Sequence, residues 1–285
     1  MERPQRKGVA LCVPAEEKKV KGFPSTFLIQ PKLNGERGIV INFDGSPIIL
    51  SSYQNPFSTL DHITKEIAYY WKLFGKALPF DGEIYKHTWS RERIDSSLRS
   101  TVTTNADTKK LEFHVFDLNL PIPQADRIAV LHQLFTVINS SALKLVPTYQ
   151  VTKEDWISHA NTFVHQGYEG AVLRNPNYPK YEPRRLVNQM LKYKPTEIDE
   201  YEILGVKEAI DKNGDLMEMV GAFLVQGDDA EPFYVGAGKL PHHARFRYWR
   251  YRNLLPGQTL VVKQGKIKTS SGIPTCAVAV EVKET

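Results

Sequence analysis

The feature that most constrains this chain is a short apolar segment ending at a lysine, followed at once by a glycine turn and a second apolar segment. The first segment is at 27–29, the lysine is Lys32, and the second begins at 38–41, after Gly35. Runs of this kind predict two strands joined by a turn, with Lys32 at a strand end and Gly35 letting a ligand approach the backbone. An amine kept partly deprotonated by burial or by nearby cations can act as a nucleophile. An ordinary surface lysine in a hairpin shows the same pattern.

The length of 285 residues is typical of two domains. Up to about residue 195, apolar segments alternate with helical patterns at 58–74, 124–138 and 153–166. Beyond that point, short β-prone segments surround a single helical pattern at 242–254. We therefore predict an α+β fold, with sheets and flanking helices at 1–196 and a small β-barrel of the OB-fold type at 197–285.

Composition places the protein in a broad class. Hydrophobic residues make up 41% of the chain, enough for a proper core, and the net charge of +5 is compatible with a polyanionic partner. Cys12 and Cys276 stand alone, which predicts a reducing compartment. Because no apolar run resembles a signal peptide or a membrane span, we expect a soluble intracellular protein that is neither secreted nor membrane-bound. The first 22 residues are charged and predict a solvated, irregular lead-in.

Charged side chains stand at the ends of several other apolar runs. Strand alternation places Lys192 and Lys194 on one face, an arrangement that favours an anion between them. Glu83 and Glu169 could hold Mg²⁺, which binds carboxylate oxygens together with substrate phosphates. Each cluster alone is compatible with ordinary surface charge, but with Lys32 they indicate a site for a nucleoside triphosphate and its metal. The chain has no glycine-rich P-loop, which excludes a Walker-type ATPase.

Five motifs occur in a fixed order. They read Lys-Leu-Asn-Gly-Glu-Arg at 32–37, Asp-Gly-Glu-Ile-Tyr at 81–85, Phe-His-Val-Phe-Asp at 113–117, Glu-Gly-Ala-Val-Leu-Arg at 169–174 and Leu-Lys-Tyr-Lys-Pro at 191–195. This order resembles that of the covalent nucleotidyltransferases, and most closely the ATP-dependent DNA ligases. The size is similar to the minimal viral and bacterial type, which lacks a separate DNA-binding domain. The resemblance implies a nucleotidyltransferase (adenylation) domain followed by an OB-fold domain.

The resemblance also implies roles in nucleotide binding. Lys32 would attack the α-phosphate of ATP and carry AMP, and Arg37 would contact the ribose or the nick phosphate. Glu83 and Glu169 would hold the ribose and Mg²⁺. The remaining contacts would be adenine stacking by Phe116, adenine-edge recognition by Gln30, and phosphate binding by Lys192, Lys194 and Lys283. On physical grounds, the two lysines and Mg²⁺ should lower the proton affinity of Lys32. Burial of Phe116 in an apolar strand is the alternative to stacking.

The residues expected to contact nucleic acid match the DNA ligase pattern less completely. Position 34 carries Asn where DNA ligases usually have Asp, and Ser52 stands where they commonly have the arginine that binds the 5′-phosphate of the nick. We expect phosphate contacts from Arg174 and from four arginines interleaved with aromatic residues, namely Arg245, Arg247, Arg250 and Arg252. A solvated helix whose aromatic residues pack inward is the alternative for that segment.

The combined prediction is a monomeric ATP-dependent DNA ligase that seals 5′-phosphate/3′-hydroxyl nicks in duplex DNA, as needed in replication, repair and recombination. An RNA ligase is the alternative within the superfamily, favoured by Asn34 and the missing arginine. An mRNA guanylyltransferase fits less well, since it would use GTP. A non-catalytic nucleic-acid-binding OB protein is the alternative of another class, against which the retained Lys32, Glu83 and Glu169 argue.

Overall fold

The computed structural model describes residues 5–99, 105–227, 231–266, 268–269 and 271–283. By its internal contacts the chain divides into two compact units, residues 1–194 and 195–285. The sequence prediction placed a domain boundary after residue 196. Both units mix strands with a few helices, so the predicted α+β class is confirmed. Among the described residues, none of the helices has the length and apolar character needed to cross a membrane.

The first unit is built from short strands and five α-helices within its described part. The strands are β1 (Val13–Pro14), β2 (Thr26–Lys32), β3 (Glu36–Phe43), β4 (Ser46–Ser51), β5 (Phe80–Tyr85), β6 (Glu112–Leu118), β7 (Leu143–Leu145), β8 (Tyr149–Thr152), β9 (Gly170–Arg174) and β10 (Met190–Tyr193). The helices are α1 (Glu17–Lys21), α2 (Asp61–Phe74), α3 (Arg91–Leu98), α4 (Gln124–Val137) and α5 (Trp156–His165). A single 3₁₀ turn, Thr108–Lys110, precedes β6.

These strands form two five-stranded sheets, one in the order β1-β10-β9-β2-β8 and the other in the order β4-β3-β5-β6-β7. Pairing is antiparallel except at β1–β10 and β6–β7, which are parallel. In the first sheet Lys32 pairs with Gly170, so β2 ends beside the start of β9. In the second sheet Arg37 pairs with Glu83. Strand pairing alone therefore places residues of the motif at 32–37 beside residues of the motifs at 169–174 and 81–85.

Side-chain periodicity explains which faces are buried. On β6, Phe113, Val115 and Asp117 are buried, whereas Phe116 lies on the opposite face and is only half-buried. This alternation is the period of two expected for a strand. Helix α2 buries one stripe against the second sheet and stops at Gly75, whose φ of 65° is the left-handed conformation that glycine adopts readily.

The second unit is a closed barrel with the strand order β11-β12-β13-β15-β14. Its strands are β11 (Thr196–Ile210), β12 (Leu216–Val225), β13 (Phe233–Gly236), β14 (Thr259–Gly265) and β15 (Val278–Lys283). Helix α6 (His242–Arg250) and the 3₁₀ turn Arg252–Leu254 lie between β13 and β14. A core that includes Ile203, Phe223, Val235 and Leu260 fills the barrel. One helix among short strands is the pattern predicted for this region.

Two local predictions are wrong. Helix α2 begins at Asp61, three residues after the start of the helical pattern predicted at 58–74. The segment before residue 22 is not a solvated lead-in: among its described residues, Val9, Ala10, Val13 and Val20 are buried. Backbone hydrogen bonds attach this segment to the rest of the unit. Its charge-rich composition gives no sign of its apolar contacts. Helix α3 was also missed, because Ile94 is its only buried large apolar residue.

A buried ion network connects the two sheets. The carboxylate of Asp117 accepts hydrogen bonds from Arg127 Nε at 2.7 Å and from Arg174 NH1 at 2.9 Å. Gln124 accepts from Arg127 NH2 at 2.7 Å, and all four side chains are buried. Two buried guanidinium groups therefore depend on one carboxylate for most of their charge compensation.

We expect Asp117→Ala to lower the free energy of unfolding of the chain by about 3–5 kcal/mol, because it leaves two buried cations uncompensated. Urea titration followed by tryptophan fluorescence measures this change. Asp107→Ala is the matched control: Asp107 pairs with Arg93 and Lys110 at the surface, and its loss should change stability little. Equal stability of the Asp117→Ala and Asp107→Ala proteins would contradict a structural role for the network.

Candidate functional site

A cavity of about 450 Å³ opens in the first unit where the two sheets present their motif residues. It is rich in charge. Its charged lining residues are Arg6, Lys32, Glu36, Arg37, Glu83, Arg91, Glu169, Arg185, Lys192 and Lys194. Both signs are present, so the cavity suits a ligand that carries phosphates together with a cation.

Lys32 sits at the last position of β2, facing Glu169. The backbone N–H of Glu169 donates to the Lys32 carbonyl at 3.0 Å, which anchors the two residues side by side. The Lys32 ammonium pairs with Glu169 Oε2, and the Lys194 ammonium pairs with Oε1 of the same carboxylate. One carboxylate thus joins the lysine that ends β2 and the lysine that directly follows β10.

These contacts shift the pKa values of Lys32 and Glu169. Burial works to lower the pKa of Lys32, but the attraction of Glu169 and Glu83 outweighs it, so that the pKa lies above its ordinary value. Burial likewise works to raise the pKa of Glu169, but Lys32 and Lys194 outweigh it and the pKa is lowered. From the sequence, neighbouring lysines and Mg²⁺ are expected to favour a neutral Lys32. In this structure the lysine is a paired ammonium, because a carboxylate lies closer than the cations.

Glu83 is a second carboxyl in the same cavity. Burial raises its pKa to about 7, although Lys32 and Arg37 act in the opposite direction. Among the described residues its side chain has no hydrogen-bond or ion-pair partner. A half-buried carboxyl without a partner is suited to binding a cation.

Lys192 and Lys194 both line the cavity, as the alternation of β10 predicts. Between them Tyr193 turns away, and its ring packs edge-on against Trp156 with centroids 5.3 Å apart. The start of β9 lies very close to this strand: a Cβ on Gly170, at φ +152°, would stand 2.1 Å from the Tyr193 carbonyl oxygen. Only glycine allows this contact.

Gly35 lines the cavity, and the neighbouring strand also requires glycine at this position. A Cβ at this position would lie 2.2 Å from the carbonyl oxygen of Ile84. The neighbouring strand therefore excludes a side chain there, and the approach that requires glycine is that of the backbone of β5.

Arg37 is held inside the protein. Its Nε donates to Asp81 Oδ1 at 2.6 Å, and its NH2 donates to the Ala10 carbonyl at 3.3 Å. Tyr181 also donates its hydroxyl to Asp81, at 2.7 Å. The guanidinium still lines the cavity, but it is anchored by these partners.

Phe116 lines a smaller neighbouring cavity of about 80 Å³, together with Gln30, Val172 and Met190. The Arg37 guanidinium carbon lies 4.6 Å from the Phe116 ring centroid, a cation–π contact. The ring therefore lines a cavity, as stacking on adenine requires.

Gln30 lines the smaller cavity but is held by hydrogen bonds, and Arg174 requires correction as a nucleic-acid contact. Gln30 Nε2 donates to the Phe116 carbonyl at 3.0 Å and to Thr148 Oγ1 at 2.9 Å, and its Oε1 accepts from Arg174 Nε at 2.7 Å. The amide is thus occupied on both sides. Arg174 is 4% exposed and bound to Asp117, so its guanidinium points into the protein and not toward a nucleic-acid surface.

The remaining predicted residues lie in the second unit. Lys283 is exposed at the end of β15 and pairs with Glu200. Arg247, Arg250 and Arg252 are exposed on and after α6. Arg245 differs: it is half-buried, and its Nε donates to the Val220 carbonyl at 2.8 Å, so this guanidinium holds the helix to the barrel.

Sequence reasoning missed several lining residues. Arg6 and Cys12 come from the segment taken for a solvated lead-in, and Arg185 comes from the loop before β10. Arg91, on the missed helix α3, pairs with Glu36. No local pattern marks these positions, because each reaches the cavity only through tertiary folding.

A family model described as an ATP-dependent DNA ligase domain matches residues 9–194. A curated relative, the DNA ligase of African swine fever virus (isolate Tick/Malawi/Lil 20-1/1983), is 26% identical over 273 residues, covering 90% of this chain. The match covers 63% of that relative, so the chain spans less than two thirds of its length. The Kenyan isolate Pig/Kenya/KEN-50/1950 matches to the same extent.

Solved structures share the fold. A structure described as Pmar-Lig_PreS3 superposes with a TM-score of 0.83 at 21% identity, covering 96% of this chain and 67% of that one. A structure from work on Lig E DNA ligases gives 0.77 at 19% identity, covering 97% of this chain and 99% of that one. Chlorella virus DNA ligase-adenylate gives 0.54 at 18% identity, with 99% of both chains covered.

We expect Glu169→Gln to lower the pKa of Lys32, because the substitution removes the main charge that raises it and leaves two ammonium groups facing each other. Trace acetylation of Lys32 across pH, quantified by peptide mass spectrometry, should show labelling that begins at lower pH. Glu200→Gln, which removes the partner of Lys283, is the matched control. The same labelling midpoint for Lys32 in all three proteins would contradict the assigned interaction.

Proposed function

This chain belongs to the ATP-dependent DNA ligase family, whose model matches residues 9–194, and we propose that it is an ATP-dependent DNA ligase that seals nicks in duplex DNA. The proposed reaction passes through an AMP adduct of Lys32 and an adenylated DNA 5′ end. It requires a nucleophilic amine, groups that bind the α-phosphate, and a cation site within one cavity.

One observation carries the proposal. Lys32 ends β2 in a cavity that Glu83, Glu169, Lys192 and Lys194 also line. Four of the five ordered motifs supply these residues and Arg37, and strand register brings them together. Phe116, from the remaining motif, faces the adjoining smaller cavity. A non-catalytic binding protein has no need for an amine in this setting.

The carboxylates of Glu83 and Glu169 fit a Mg²⁺ site. They are hard oxygen donors in one cavity, and Glu83 has no partner among the described side chains. Two carboxylates are a typical protein contribution when substrate phosphates and water complete the coordination. The cation would supply positive charge that stabilises the transferring phosphoryl group.

The chemistry of Lys32 begins with loss of a proton. A cation bound by Glu83 and Glu169 would offset their negative charge. The attraction that raises the Lys32 pKa would then weaken, which would favour the free amine. The Nζ lone pair then forms a bond to the α-phosphorus, and the bond from that phosphorus to the bridging oxygen breaks, releasing pyrophosphate. Lys192 and Lys194 would bind the non-bridging oxygens, where negative charge develops.

The later steps transfer AMP and close the nick. An oxygen of the DNA 5′-phosphate attacks the AMP phosphorus, and the bond to Lys32 Nζ breaks. The 3′-hydroxyl then attacks the 5′-phosphorus, and AMP leaves as its bond to that phosphate breaks. Asp81 and Tyr181 hold Arg37 at the cavity wall, where it would contact the ribose or a phosphate.

DNA binding would draw on the second unit. Arg247, Arg250 and Arg252 form an exposed basic segment that we assign to phosphates of the duplex. Lys283, on β15, is our candidate for the pyrophosphate end of ATP. We propose that the enzyme works as a monomer on a nicked duplex.

We expect the protein to gain the mass of one AMP when incubated with ATP and Mg²⁺, since Lys32 ends β2 in the cavity that Glu83 and Glu169 also line. Intact-mass spectrometry measures the adduct, and peptide mapping should place it on Lys32. Lys32→Ala should lose it completely. Lys21→Ala, which changes an exposed lysine paired with Glu17, is the control and should be modified like the wild type. An AMP-free wild-type sample that stays unmodified would refute the proposed function.

We expect sealing to weaken steeply with salt, because phosphate contacts release counterions, with a slope of log affinity against log salt of about −0.9 per contact. Arg250→Ala should weaken nick binding and make this slope shallower by about one contact. Fluorescence anisotropy with a nicked duplex at several salt concentrations measures both. Lys212→Ala, in the exposed turn between β11 and β12, is the control. An unchanged slope in Arg250→Ala would remove this residue from the DNA interface.

A further inference from the structure

A group of aromatic side chains lies next to the two carboxylates in the chain, and the proposed function does not use it. Tyr85 ends β5, and strand alternation places it on the same face as Glu83. Tyr168 directly precedes Glu169, which leads into β9. The two carboxylates come from different sheets, so each sheet contributes one tyrosine close to its own carboxylate.

His87 joins the two tyrosines. Its Nδ1 lies 2.9 Å from the hydroxyl oxygen of Tyr85, which is a hydrogen bond. Its ring packs against the ring of Tyr168, with centroids 4.8 Å apart. A histidine that follows β5 thus reaches the residue that precedes Glu169, and it connects the two sheets beside the cavity.

Both tyrosines are themselves anchored. The Tyr85 ring packs edge-on against His114, with centroids 5.2 Å apart, and His114 Nε2 lies 3.0 Å from Glu112 Oε2. The Tyr168 ring packs edge-on against Phe163 of α5 at 6.3 Å, and its backbone N–H donates to the Phe163 carbonyl at 3.0 Å. Tyr168 also packs against the cores of both sheets. The imidazole therefore links two anchored parts of the first unit.

The separation of the two carboxylates decides whether one cation can bind both. Mg²⁺ demands near-ideal octahedral geometry, with oxygen ligands at about 2.0–2.1 Å. When both are ionised and no cation is bound, Glu83 and Glu169 carry like charges in one cavity and repel each other. A link between the segments that carry them opposes this repulsion and keeps their oxygens at a spacing that a small cation can bridge.

We propose that His87 is a positioning residue of the cation site, because the link that it makes between the two tyrosines fixes the separation of Glu83 and Glu169. The proposal rests on the cation site of the proposed function. Imidazole suits this role, since its flat ring packs on one tyrosine while a ring nitrogen bonds to the hydroxyl of the other. The histidine acts through the carboxylates and does not itself bind the cation.

Binding of Mn²⁺ to the AMP-free protein tests this role without relying on catalysis. Mn²⁺ prefers the same oxygen ligands as Mg²⁺, and electron paramagnetic resonance measures its free concentration. We expect His87→Ala to weaken Mn²⁺ binding by about tenfold, the smaller end of the effect that partners of metal ligands have on affinity. His87→Asn should bind nearly as well as the wild type, because its amide can replace Nδ1 in the bond to Tyr85. His87→Gln, whose amide reaches the position of Nε2, should resemble His87→Ala.

Self-adenylation gives a second readout. At limiting Mg²⁺, His87→Ala should react more slowly than the wild type. At saturating Mg²⁺ its rate should approach the wild-type rate, because the property that is lost is cation affinity. A variant that is only less stable would instead lose rate equally at both concentrations.

His132→Ala is the matched control and should bind Mn²⁺ like the wild type, since His132 is exposed on α4. Glu83→Gln marks the cation site and should bind Mn²⁺ weakly. Circular dichroism shows whether each variant is folded before binding is measured. Tyr85→Phe removes the hydroxyl and keeps the ring, so it repeats the test if His87→Ala does not fold, and it should also weaken Mn²⁺ binding.

Wild-type Mn²⁺ affinity in folded His87→Ala or Tyr85→Phe protein would overturn the proposal. Equal loss of affinity in His87→Ala and His87→Asn would also overturn it, since the bond to Tyr85 would then not carry the effect. A wild-type protein that binds Mn²⁺ no better than Glu83→Gln would refute the cation site, and this proposal with it. An AMP-free wild-type protein that binds Mn²⁺ but takes up no AMP would refute the ligase function alone.

Discussion

The carboxylate of Glu169, held between the ammonium groups of Lys32 and Lys194, is the interaction on which the site depends. It brings the ends of two strands of one sheet to a common charge centre and helps to raise the pKa of Lys32. The same contact that orders Lys32 also opposes its proposed role as a nucleophile, because an ammonium has no lone pair. The proposed reaction therefore requires that charge be redistributed within the cavity, which the neighbouring Glu83, with a pKa of about 7, also lines.

A second, fully buried network stabilises the architecture behind the site. Asp117 compensates Arg127 and Arg174, and Arg174 orients the amide of Gln30, which in turn holds the Phe116 carbonyl. The ring that faces the small cavity is thus fixed by a chain of hydrogen bonds. Gln30 and Arg174, which the sequence predicts as contacts to ligands, hold neighbouring residues in place within this network.

Much of the fold and part of the site could be predicted from the sequence. Strand β9 and the start of α4 are marked by strong local patterns, and Lys32 stands at the end of the strand that its flanking residues predict. Arg6 and Cys12 could not be found this way, because pairing with distant segments brings them to the cavity. The ion pair of Lys32 with Glu169 also escaped prediction, since strand register decides which charge lies nearest. Arg174 shows the opposite error: an arginine at a strand end is compatible with either a surface or a buried partner.

The contact at Gly170 has a consequence for how such a site can change. Two strands touch there through their backbones, and Glu169 and Lys194 flank the point of contact. The separation of the Glu169 and Lys194 backbones is consequently set by main-chain packing, which cannot adjust as flexible side chains do. A descendant of this chain that came to accept another ligand would have to keep that separation and alter other walls, such as Val172 and Met190 of the smaller cavity.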